Sequence, residues 1–76
     1  MRLNQMQYFV TVCKYQNYTR AAEELFVSQP AISQAMKELE SECGVPLLKR
    51  KGNNIYITPE GELLRAEASS MLEHMD

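Results

Sequence analysis

Thr19-Arg20-Ala21-Ala22-Glu23-Glu24-Leu25-Phe26-Val27-Ser28-Gln29-Pro30-Ala31-Ile32-Ser33-Gln34-Ala35-Met36 is the stretch that decides the fold of this 76-residue sequence. Ala21, Ala22 and Leu25 share one face of a short helix predicted over Arg20 to Leu25, with the Thr19 hydroxyl as its cap. Phe26-Val27 leaves room only for a tight connection. Ser28 can cap a second helix, and Pro30 suits a first turn whose N–H groups have no helical partner. Ile32, Met36 and Leu39 point that helix inward and carry it to about Cys43. Gly44 then supplies a left-handed stop, and Pro46 prevents continuation. Two helices that meet through small residues across a short turn make a helix-turn-helix. Ser28, Gln29, Pro30, Ala31, Ser33, Gln34 and Lys37 remain on the outer side. A glutamine amide both donates to and accepts from a base edge, while serine hydroxyls and lysine suit phosphates. On helix spacing alone, an ordinary three-helix bundle with a polar outer face is the competing reading.

Outward from this stretch, Leu3, Met6, Phe9, Val10 and Cys13 recur at helical spacing, and the pattern fades at Tyr15-Gln16-Asn17. After Pro46, Leu47-Leu48-Lys49-Arg50 and Ile55-Tyr56-Ile57 flank Lys51-Gly52-Asn53-Asn54, which reads as a β-hairpin around a Gly/Asn turn. Thr58-Pro59 opens a final helix, hydroxyl at the cap and proline at the first helical position. Leu64, Ala68, Met71 and Met75 follow at 4-3-4 spacing, with Leu63 and Leu72 beside them. The predicted order is α-α-α-β-β-α: a mainly α, winged helix-turn-helix fold, with a three-helix bundle, a hairpin wing and a C-terminal linker or dimerisation helix. Residues 1–58 form the winged head and 59–76 the linker. The apolar stripe of the last helix is longer than the head can cover. It therefore predicts a homodimer through Leu64, Ala68, Met71, Leu72 and Met75; the competing reading is that Leu63, Leu64 and Leu72 pack back on the first helix.

Lys49-Arg50-Lys51 is the densest basic cluster. Three adjacent cations are usually a solvated run, but on a wing they can flank a groove and neutralise phosphates. The net charge of −2 looks wrong for a nucleic-acid partner until it is located. Through Thr58 there are seven basic and five acidic residues; from Pro59 onward Arg65 stands against five acidic ones. Such asymmetry fits a nucleic-acid face beside a segment that does not bind. Cys13 and Cys43 belong to no CxxC or Cys/His cluster, and His74 is the sole histidine, so no metal site or cofactor is expected and both thiols read as reduced. Nothing approaches a membrane span, and Met1-Arg2-Leu3-Asn4-Gln5 does not open a signal peptide, which predicts a cytoplasmic protein.

Phe9-Val10, Tyr18 through Leu25, Val27 through Ser33, Leu39-Glu40, Gly44 through Leu48, Arg50 and Thr58-Pro59-Glu60-Gly61 together resemble the N-terminal domain of LysR-type transcriptional regulators. The resemblance covers nearly the whole chain. It implies sequence-specific binding to double-stranded DNA, at an interrupted palindrome, by a bacterial regulator. The candidate interface becomes Thr19, Arg20, Ser28, Gln29, Pro30, Ala31, Ser33, Gln34, Lys37, Arg50, Lys51 and Asn53. Gln34 stands where Arg or Lys is frequent, and Asn53 where many members carry a wing Arg. Both departures remove expected backbone or minor-groove contacts. The resemblance also implies dimerisation through the last helix, tetramers in the intact regulator, and a small-molecule effector bound only by a further domain that this sequence lacks.

Two other classes compete. A winged helix can serve protein–protein contact, for which the outer face of the third helix should carry aromatic or leucine anchors. An enzyme would need a nucleophile–base pair, a metal cluster or a Gly-rich phosphate loop, and the sequence presents none of these.

Overall fold

The structure, a computed structural model, describes residues 1–52 and 54–74. Its order is α1 (Leu3–Tyr15), α2 (Tyr18–Leu25), α3 (Gln29–Cys43), β1 (Leu48–Lys51), β2 (Asn54–Ile57) and α4 (Pro59–Glu73). The winged helix-turn-helix expectation holds. Phe9, Val12, Ala21, Ala22, Ile32, Ala35, Met36 and Leu39 form one core between α1, α2 and α3, which Leu47 and Ile55 close from the hairpin side.

The helix ends follow local chemistry. Ser28 Oγ accepts from Ala31 N–H at 3.2 Å, and Thr58 Oγ1 from Gly61 N–H at 3.0 Å. Gly44 ends α3 in the left-handed region, at φ +74°. The cap of α2 differs from expectation. Asn17, rather than Thr19, accepts from Arg20 N–H (2.9 Å), and the helix starts at Tyr18. Asparagine is the stronger cap of the two and stands at the right distance.

The hairpin is tighter than the sequence suggested. Lys51 pairs with Asn54 and Arg50 with Ile55, so β1 runs on to Lys51 and β2 begins at Asn54. Lys51 joins Lys49 and Arg50 in the strand rather than belonging to the turn. Alternation places Arg50 on the face shared with buried Ile55, whereas Lys49 and Lys51 share the other face with Tyr56. Lys51 therefore shares a face with Lys49 and not with Arg50.

One joint sets α4 on the head. Thr58 Oγ1 donates to the Pro46 carbonyl (2.8 Å) and Thr58 N–H to the Leu47 carbonyl (3.0 Å). The Glu40 carboxylate accepts from the N–H groups of Leu47 (2.7 Å) and Leu48 (3.1 Å). A side chain at Gly61 would run into the Leu47 carbonyl and the Ile57 methyl. From this joint α4 runs along α1. Among the described residues, no helix is long and apolar enough to cross a membrane.

Candidate nucleic-acid interface

The helix-turn-helix bend is three residues, Phe26-Val27-Ser28. Val27 N–H donates to the Ala22 carbonyl at 3.1 Å, which satisfies the end of α2 as the chain reverses. Ala21 and Ala22 are buried, so α2 lies close beneath α3. With Ile32, Ala35, Met36 and Leu39 inward, the opposite side of α3 faces solvent. Ser28, Gln29, Pro30, Ala31, Gln34 and Lys37 are exposed, and Ser33 is half-buried.

The candidate residues divide into two neighbourhoods. Thr19, Gln29 and Arg50 meet around a polar cleft of about 310 Å³, whose other walls are Asn17, Tyr18, Gly52 and Ile55. Three elements distant in sequence thus present an amide, a hydroxyl and a guanidinium to one space. Gln34 and Lys37 line a second, shallower depression with Arg2, Gln5, Glu38, Ser41 and Glu42. There the Gln34 amide donates to Glu38 at 3.4 Å, so it leans back along its own helix. Glu38 is paired with Arg2 at 2.9 Å, and Glu42 with the Met1 ammonium at 3.3 Å. Glu38 and Glu42 of α3 are therefore met by cations just ahead of α1, which limits their repulsion of an anionic partner. Arg20 and Lys51 are exposed on α2 and the wing; Asn53 lies outside the described residues.

Sequence reading missed the aromatic support of these cations. Arg50 Cζ lies 5.1 Å from the centroid of the Tyr18 ring, and Arg20 and Lys14 each lie 5.2 Å from that of Tyr15. The signal was present as two tyrosines flanking the break between α1 and α2, but nothing in their spacing says which cation reaches them.

The dimerisation stripe needs correction. Ala68 is fully buried within the chain, and Leu64 packs against the core. α4 packs along α1, while Gly61 seats its first turn against the Leu47 carbonyl and Ile57. Leu72 is half-buried, and Met75 lies outside the described residues. The exposed apolar side chains of α4 are Leu63 at 72% and Met71 at 50%, with exposed Ala66 between them. This face is rotated from the predicted stripe, and only Met71 belongs to both.

Residues 3–62 match the family described as "Bacterial regulatory helix-turn-helix protein, lysR family". The chain belongs to the LysR family. It is 41% identical to the Hca operon transcriptional activator HcaR of Escherichia coli (strain K12) over 76 residues, all of this chain and 26% of HcaR. The chain thus spans about a quarter of the length of that relative. Among solved structures it is similar to the BenM DBD in complex with catB site 1 DNA, with a TM-score of 0.92, 37% identity and coverage of 96% of this chain and 81% of that one. The CbnR DBD–DNA complex gives a TM-score of 0.92 at 38% identity, covering 96% and 84% of the two chains. The winged helix-turn-helix of this LysR-family chain thus recurs in proteins solved with DNA on them.

Proposed function

We propose that this chain is the sequence-specific DNA-binding head of a transcription regulator, with α3 in the major groove and the wing on the flanking backbone or minor groove. The observation that carries the reading is the outer side of α3, polar and cationic, whose Gln29 shares a cleft with Thr19 and Arg50. That placement lets one amide read a base edge while a hydroxyl and a guanidinium hold phosphates on either side. The membership in the LysR family and the two DNA complexes support it.

Residues 1–58 act as the head and 59–76 as the linker. A homodimer forms through the exposed Leu63–Ala66–Met71 face of α4, which lets two heads engage an interrupted palindrome. In the intact regulator a further domain binds the effector and builds the higher oligomer, and the protein acts on DNA in the bacterial cytoplasm. The protein-contact reading has one feature in its favour: Phe26, 95% exposed at the bend. The absence of aromatic or leucine side chains from the outer side of α3 weighs against it.

The test is the salt dependence of binding to duplex DNA. Arg50→Ala should make the slope of log affinity against log salt shallower by about 1, and Arg50→Ala with Lys51→Ala by about 2. An unchanged slope would place the wing off the DNA.

A further inference from the structure

Arg50 is exposed, yet it is not loose. Its register opposite Ile55 sends it from the hairpin face that meets the helices. Ile55 is 4% exposed, and its N–H donates to the Gln16 carbonyl at 3.4 Å, so the strand is pinned against the corner between α1 and α2. Across that corner stands Tyr18, the first residue of α2, half-buried against the core and fixed by the Asn17 cap beside it. Its ring receives the Arg50 guanidinium at 5.1 Å, and both side chains line the cleft that holds Thr19 and Gln29.

We infer that Tyr18 is a positioning residue: its ring holds the Arg50 guanidinium at the cleft, so that the wing cation meets the DNA backbone at a fixed offset from Gln29. The inference rests on the DNA-binding reading and adds to it a residue that touches no base. An arginine free in water loses rotamer freedom when a phosphate clamps it, and a cation already laid on an aromatic face has lost part of that freedom before DNA arrives. The attraction is that of a cation for a neutral ring. Burial pushes the Tyr18 phenol above its ordinary range, helped by Glu40 and opposed by Arg50, and it stays protonated at neutral pH. The ring is therefore required and the hydroxyl is not. Tyr15 holds Arg20 in a similar way, but that pair joins two adjacent helices, whereas Tyr18 and Arg50 join the wing to the reading head.

The test uses this chain and mixed-sequence duplex DNA, with affinity read by fluorescence anisotropy. Tyr18→Leu should weaken binding about two- to fivefold and Tyr18→Phe should not. Tyr18→Leu added to Arg50→Ala should cost nothing further, because the ring then has no cation to hold. Additive losses would overturn the inference, as would a Tyr18→Phe variant as weak as Tyr18→Leu. A second readout needs no DNA and covers the case in which Tyr18→Leu fails to fold. The Arg50 side-chain protons should be shifted upfield by the ring current in wild type and Tyr18→Phe, and unshifted values in wild type would overturn the stack. A wild-type chain without duplex affinity would remove the DNA-binding reading and the inference with it, whereas additive losses in a chain that binds remove the inference alone.

Discussion

Phe26 occupies the left-handed region at φ +57°, where a side chain crowds the following carbonyl, and its ring is 95% exposed. Its conformation is imposed by the bend, since Val27 must swing back to bond the Ala22 carbonyl. Glycine adopts that φ without the clash, so Phe26→Gly should raise stability by about 1 kcal/mol and leave duplex affinity unchanged. Chemical denaturation measures the first and anisotropy the second; a loss of affinity would mean that the ring is a contact. The two thiols differ as sharply. Cys43 is exposed, and Cys13 is buried in the core, where desolvation pushes its pKa up to about 12; Arg65 opposes and Glu62 assists more weakly. A thiol reagent at neutral pH should therefore label Cys43 in the folded chain and Cys13 only on unfolding. The value is raised in the folded state of an acid that is neutral when protonated, so the unfolded chain releases its proton first. Cys13 leaves stability unchanged below about 9 and lowers it as pH climbs from 9 toward about 12. Cys13→Ser should flatten that alkaline decline in a series of unfolding curves. Cys13 belonged visibly to the apolar face of α1 in sequence. The competition between Asn17 and Thr19 for one cap was not resolvable there, because either side chain can serve and only the backbone path selects one.

The joint at Pro46, Leu47, Thr58 and Gly61 gives a physical reason for sequence elements that look functional. Thr58 caps α4 and ties it to Pro46 and Leu47; Gly61 is required because the Leu47 backbone occupies the space of its missing side chain. Gly61→Ala should cost about 1–3 kcal/mol, since backbone must move to admit one methyl group. An unfolding midpoint equal to wild type would show that α4 can shift freely on the head. Glu40 completes the joint through two backbone N–H groups, a role that no local spacing announces, because Leu47 and Leu48 lie beyond a proline turn. Element boundaries were largely legible: Ser28, Gly44, Pro46 and Thr58-Pro59 each restrict the backbone in a way that marks an end. The orientation of α4 was not. A 4-3-4 apolar pattern states that one face is sticky without stating what covers it: α4 packs along α1, Leu64 lies against the core and Ala68 is buried. Nor did the sequence tell how the hairpin turns its cations. The pairing of Lys51 with Asn54 fixes the alternation that sets Arg50 on the face of Ile55 and Lys49 and Lys51 on the face of Tyr56.

At the scale of the molecule, the basic wing and the polar side of α3 sit on the head, and the acidic excess is carried by the segment after Pro59. That separation lets a chain of net charge −2 approach DNA by one side. The exposed Leu63–Ala66–Met71 face should seat a second copy, and Leu63→Asp with Met71→Asp should shift a concentration series in light scattering toward monomer. A wild-type chain that is monomeric throughout would remove the dimer without touching the reading of α3. The central claim is that α3 reads bases, and selection of bound duplexes from a random-sequence library tests it most directly, with wild type and Gln29→Ala run side by side. Wild type should enrich a motif, arranged as two inverted half-sites about 34–36 Å apart, or a multiple of that, if the dimer forms. Gln29→Ala should lose preference at one position of each half-site, at a cost of about 1–3 kcal/mol on the selected duplex. A wild-type pool that binds and still matches the composition of the starting library would contradict the claim.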